Sequence, residues 1–201
     1  MFEWKIVTIV NHGLAHRLNE LAVKAGANGG TILHGRGYAR SPLLRTIGLG
    51  GIEKDILITL TSEDELERIT TAIKTAHIYP RHNAGISFCI SIGGSKMPLD
   101  TEHELITVIV NRGYADDIMD AARKAGANGG TILHARGTGK PDDEKFFGIT
   151  IVPEKEEVLI LAEMKTSAAI QEAIQSLSCL TTPGIGIMYT SPVSRFIQLG
   201  K

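Results

Sequence analysis

Two groups of residues in this 201-residue chain have the chemistry to hold a charged small molecule. Thr31, Arg36, Gly37 and Arg40 form the first, and Thr131, Arg136, Gly137 and Lys140 repeat it further along. A hydroxyl, a glycine that lets a ligand approach backbone N–H groups, and a fixed cation can together replace the water around a phosphate or carboxylate. No G-x-x-x-x-G-K-[ST] run occurs, so this is not a P-loop. His34 and His134 also recur, but each lies near a strand end without a second histidine or cysteine at a ligand spacing, and the spacing assigns no metal ligand. No Ser-His-Asp set, Cys-His set or nucleophile elbow is present, so no catalytic residue is assigned and the chain reads as a non-enzyme. Tyr38, Arg81 and His82 occur in the first copy alone and read as solvated loop residues.

The elements that must carry these residues come twice. "KAGANGGTILH" at 24–34 returns at 124–134, and 6–37 aligns with 106–137 throughout. In the first copy, 4–10 is a β-branched strand and Asn11-His12-Gly13 a turn. Leu14, Leu18, Leu21, Ala22 and Ala25 recur at helical spacing, as do Ile118, Met119, Ala122 and Ala125 in the second copy; Gly26 and Gly126 fit the left-handed position past the helix end. Asn28-Gly29-Gly30 then turns the chain into a strand from Thr31. Third strands are expected at 55–61 and 157–163, second helices at 63–76 and 167–177, and fourth strands at 86–92 and 185–191. Ser62 and Glu65 have capping-box spacing at the start of a second helix. The order β-α-β-β-α-β predicts an α+β chain of two ferredoxin-like domains in tandem, 1–100 and 101–201. Ile, Val and Leu on both alternations of the strands favour oligomers that pack sheet faces.

Composition narrows the partners. The chain is 43% hydrophobic and 21% charged, with 22 glycines and 7 prolines, as expected of a folded protein rather than a low-complexity arm. Its formal net charge of -1 supplies no field toward nucleic acid or an anionic membrane. Cys89 and Cys179 form no C-x-x-C pair and read as reduced core thiols of a cytoplasmic protein. The amino terminus lacks the long apolar run of a signal peptide, and no stretch reaches the ~20 apolar residues of a spanning helix.

"GANGGTILHGRGYAR" and "GANGGTILHARGTGK" resemble the segment of PII signalling proteins where a glycine-threonine strand runs into the base of the T-loop, and "SPVSRF" at 191–196 resembles that family's ending. The resemblance implies trimers that bind ATP or ADP, with Mg²⁺ and 2-oxoglutarate, between subunits and regulate a membrane transporter or metabolic enzyme through the T-loops. It places Thr31 and Thr131 at the adenine end, Gly37 to Arg40 and Gly137 to Lys140 at the T-loop base, and Arg195 in the tail. AMP belongs with ATP and ADP among the candidate effectors. The family's T-G-x-x-G-D-G-K loop is reduced to Pro183-Gly184-Ile185-Gly186-Ile187 in the second copy and to Asn83-Ala84-Gly85-Ile86 in the first. Ser41 and Pro141 stand where many members have a glutamine, which argues against 2-oxoglutarate. The T-loops, 41–54 and 141–155, are short, and Phe146-Phe147-Gly148-Ile149 is readable as strand. Two other readings remain open: an interaction module with a vestigial pocket, and a metal-binding protein resembling CutA.

Overall fold

The structure, a computed structural model, describes residues 2–38, 51–79, 84–92, 101–138, 145–146, 149–150 and 154–200. Arg40, Lys140, Arg81, His82, Leu43 and Leu44 lie outside these residues, as does most of each expected T-loop. The chain divides into two compact units, one comprising Met1–Arg36, Gly51–Glu104 and Ser191–Lys201, the other built on Leu105–Thr190.

In the first unit, β1 (Trp4–Asn11), α1 (Ala15–Lys24), β2 (Thr31–Tyr38), β3 (Gly51–Thr61), α2 (Glu63–Lys74) and β4 (Gly85–Ser91) follow in order. The strand order is β2-β3-β1-β4. β1 runs antiparallel to β3, with Val10 opposite Asp55 and Asn11 opposite Lys54, and antiparallel to β4 on its other side. The helices bury Leu18, Ala22, Leu66, Ile69 and Ile73 with Ile6, Val10 and Leu57 of the sheet. Each fully buried leucine, isoleucine or valine among them contributes about 1.5–3 kcal/mol. Thr8 and Ser87 hydrogen bond to each other across β1 and β4 at 2.9 Å, which satisfies two buried hydroxyls.

The second unit repeats the plan with β5 (His103–Asn111), α3 (Ala115–Lys124), β6 (Thr131–Arg136), β9 (Glu154–Glu163), α4 (Met164–Gln175), the single turn α5 (Ser178–Thr181) and the first part of β10 (Gly186–Leu199). β7 (Lys145–Phe146) and β8 (Ile149–Thr150) form a small antiparallel pair between β6 and β9, so part of the sequence read as a T-loop is strand. The order is β6-β9-β5-β10. Ile106, Val108, Ile118, Met119, Ile132, Ile160 and Ile170 fill its core.

The duplicated glycine turn has a clear physical cause. α1 ends with Gly26 N–H donating to Val23 O and Ala27 N–H to Ala22 O, and α3 ends with the same two bonds, from Gly126 to Arg123 and from Ala127 to Ala122. This C-terminal motif needs a left-handed residue, and Gly26 and Gly126 adopt φ of 114° and 107°. Gly30 answers a different need, since a Cβ there would lie 2.6 Å from Asn19 Oδ1 and 2.7 Å from Leu57 Cδ1.

Some local expectations are corrected. Ser62 does begin α2, but its side chain bonds to the Glu65 carboxylate at 3.2 Å, and the first helical N–H, of Glu63, is capped by Glu3 Oε2 at 3.0 Å. A carboxylate brought from outside the helix thus replaces the local serine. Tyr38 is a buried end of β2 rather than a solvated loop residue; it is grouped with the second unit, where its hydroxyl donates to Asp120 Oδ1 at 2.7 Å.

Candidate functional site

Each unit builds a polar site at one place in its plan: the turn after its first strand, the second strand, and the start of the third strand. In the first unit β3 lies between β1 and β2, so its Asp55 can reach side chains from both neighbours. The chain leaves β1 with His12 N–H bonded to Glu53 O at 3.2 Å, which holds the turn against β3. His12 Nδ1 lies 2.8 Å and His34 Nδ1 3.0 Å from the same oxygen, Asp55 Oδ1. Gly13 N–H donates to the other oxygen at 2.8 Å. The Asp55 side chain is buried, 5% exposed, beneath two imidazoles that are 56% and 72% exposed.

Electrostatics follow from this geometry. Burial works against the Asp55 charge, but the hydrogen bonds from His12, Gly13 and His34 outweigh it and hold the carboxyl below its ordinary range. The bond to Asp55, then its negative charge, raises His12 above an ordinary histidine. Lys54 Nζ donates to Asn11 Oδ1 at 2.6 Å, and burial lowers its pKa.

In the second unit Lys155 makes the matching bond to Asn111 at 2.5 Å, and Glu156 takes the place of Asp55, accepting from Gly113 N–H at 2.9 Å and Ala115 N–H at 3.3 Å. Arg112 stands where His12 does and pairs with the Glu154 carboxylate, which raises the pKa of the guanidinium and lowers that of the acid. His134 faces Glu156 across β6 and β9. An open pocket of about 650 Å³ is lined by Arg112, His134, Ala135, Arg136, Glu154 and Lys155.

The residues expected from the sequence do not all gather here. Arg136 lines the pocket, and Lys155 Nζ also reaches Ile185 O at 3.5 Å, beside Gly184 and Gly186. Thr131 is buried, five residues back along β6 and so roughly 17 Å from Arg136 at the usual strand rise. Gly184 is exposed at φ 83°, whereas a Cβ on Gly186 would press to 2.7 Å from Val110 Cγ1. Gly137 is half-buried just past β6. In the first unit Thr31 is exposed and Arg36 is half-buried along β2; Gly37, half-buried next to Arg36 on that strand, is grouped with the second unit. Arg195, grouped with that unit, pairs with the Glu67 carboxylate of α2.

The sequence reading missed His12, Asp55, Arg112, Lys155 and Glu156. A signal was available, because "VNHG" at 10–13 aligns with "VNRG" at 110–113 and "EKD" at 53–55 with "EKE" at 154–156. The one exchange from histidine to arginine inside an otherwise matched turn marks where the copies diverge.

Both units are antiparallel α+β folds, and the second carries a cation-lined pocket beside its second and third strands. The family model for nitrogen regulatory protein P-II matches residues 103–200, so this second half of the chain is PII-like. No curated protein matches it. Among solved structures it is similar to a PII-like signalling protein of Thermus thermophilus, at 17% identity and TM-score 0.33 over 50% of this chain and 93% of that one. It is also similar to a microcompartment protein of Desulfitobacterium hafniense, at 16% identity and TM-score 0.30 over 96% of each chain. At such scores neither structure carries an argument about function. Among the described residues no helix is long and apolar enough to cross a membrane.

Proposed function

We propose that the chain is a cytoplasmic signal-transduction regulator built of two tandem ferredoxin-like domains, 1–100 and 101–201, which senses an anionic metabolite. The supporting observation is the pocket of the second unit, where Arg112, Arg136 and Lys155 meet on the half of the chain that matches the P-II family. Charge-assisted hydrogen bonds from such cations are worth about 1.5–3 kcal/mol each. Among the described residues the lining offers three cations and the His134 imidazole but no phenyl, phenol or indole ring, so the chemistry fits the phosphates of ATP, ADP or AMP better than the adenine. Glu154 is committed to Arg112, and Mg²⁺ would therefore enter on the phosphate oxygens rather than on a ready carboxylate.

Effector binding would bias the loops that follow Arg36 and Arg136, and so the docking of a membrane transporter or metabolic enzyme. A coupling of about 1–3 kcal/mol suffices for such a switch. Association into trimers through sheet faces would complete the assembly. Titration calorimetry with ATP, ADP and AMP tests the reading: binding weakened about tenfold or more by Arg136→Ala, at unchanged folding, supports it. A flat trace for all three nucleotides removes them as effectors.

One observation favours a second reading. Arg112 is already neutralised by Glu154, as in a vestigial pocket retained in an interaction module. In that case Arg136→Ala has no effect on any ligand.

A further inference from the structure

We propose that His12, His34 and Asp55 form a site for one divalent transition-metal ion, of the zinc or cobalt type, in the first unit. Their ligand atoms all lie within 4.8 Å of one another. Bonds of about 2.0–2.2 Å from an ion to imidazole nitrogen and carboxylate oxygen set neighbouring ligand atoms about 3.0–3.5 Å apart. The two Nδ1 atoms already stand 2.8 and 3.0 Å from Asp55 Oδ1, so entry of an ion asks the two exposed rings to swing slightly off that oxygen and toward each other.

The surroundings favour this use. Gly13 N–H fixes the second carboxylate oxygen, the kind of supporting contact that orients a ligand before the ion arrives. Two imidazoles and one carboxylate suit zinc, cobalt, nickel or copper; magnesium and calcium prefer all-oxygen sets. Three protein ligands leave a coordination position open, and the exposure of both rings lets water or an anionic group fill it.

The second unit cannot do the same. Arg112 replaces His12, and a guanidinium is a donor without a lone pair to offer a metal. Glu156 is engaged with two backbone N–H groups. Among the described residues the arrangement therefore belongs to one repeat, and one ion per chain is expected.

The test uses the full chain with any purification tag removed, titrated with Zn²⁺ by calorimetry and with Co²⁺ by visible absorption. One equivalent per chain is expected, with cobalt bands that change when either histidine is replaced. His12→Ala and His34→Ala should each weaken binding by more than the ~10–100-fold that loss of a supporting partner costs. Both side chains are exposed, and His34→Gln provides a second variant if His34→Ala perturbs folding. Arg136→Ala should leave the metal isotherm unchanged, which separates this site from the nucleotide reading. Absence of binding at millimolar Zn²⁺, wild-type affinity in either histidine variant, or two equal ions per chain would overturn the proposal.

Discussion

The sites of the two units occupy the same place in the same plan, yet they present opposite chemistry. In the first, a buried aspartate draws two imidazoles onto a single oxygen; in the second, a longer glutamate turns back to Gly113 and Ala115, and an arginine pairs with Glu154. The shared lysine-asparagine bond beside each site shows that the scaffold is common to both. One position in the turn and one methylene in the carboxylate therefore separate the proposed metal site from the proposed anion site.

The sharpest way to probe that difference is to erase it. Arg112→His combined with Glu156→Asp should give a second zinc equivalent per chain, while Arg112→His alone should stay at one, because the longer Glu156 carries its carboxylate one methylene further from the backbone than Asp55 does. Calorimetric stoichiometry reads the outcome, and a second equivalent from the single variant would mean that carboxylate length does not matter.

The two cysteines offer the next comparison. Both are free and buried, and burial pushes the Cys89 thiol up to about 12. At pH 8 its thiolate fraction is more than about a thousandfold below that of a cysteine near pKa 8.5. Cys179 sits in the four-residue α5, which can open locally with less disruption than β4. Labelling with a chromogenic disulfide should therefore modify Cys179 first and Cys89 only on unfolding; equal rates would show that the units are equally protected.

A smaller effect should separate the matching glycines. Gly30→Ala sets a methyl against Leu57 and Asn19, with Ile58 O only 3.2 Å away, and should cost about 1–3 kcal/mol in urea denaturation. Gly130→Ala meets a similar backbone oxygen, Leu159 O at 3.1 Å, but its closest neighbour is the flexible end of Met119, at 2.5 Å from Sδ, and it should cost less because that side chain can swing away. The reverse order would place the rigid neighbour in the wrong unit.

The smallest effect is electrostatic. With His12 raised by Asp55, its contribution to stability is fully present below the ordinary histidine pKa and fades as pH rises through the folded value. Asp55, held low, contributes above the ordinary carboxylate pKa and loses this as pH falls through its folded value. NMR titration of the metal-free chain should show His12 titrating above the ordinary histidine value of 6.5, and Asp55→Asn should bring it back toward that value.

Much of the plan was legible before any coordinates. The helix periods of Leu18 and Ala22 and of Ile118 and Ala122, and Gly26 and Gly126 past the helix ends, all appear where the spacing placed them. The capping of α2 was misread because the Glu3 carboxylate that serves it comes from the far end of β1's approach, a contact no local pattern encodes. The meeting of His12 and His34 on Asp55 was not legible for the same reason, although the exchange of His12 for Arg112 between the copies marked the turn.

By itself the sequence determined the duplication, the order of strands and helices, and the glycine turns, because these depend on neighbours a few residues apart and on side chains that either fit or exclude a backbone conformation. Which histidines meet was decided only when β3 settled between β1 and β2. Strand pairing, not spacing along the chain, sets the register that brings His12 and His34 onto Asp55 and leaves Arg112 beside Glu154.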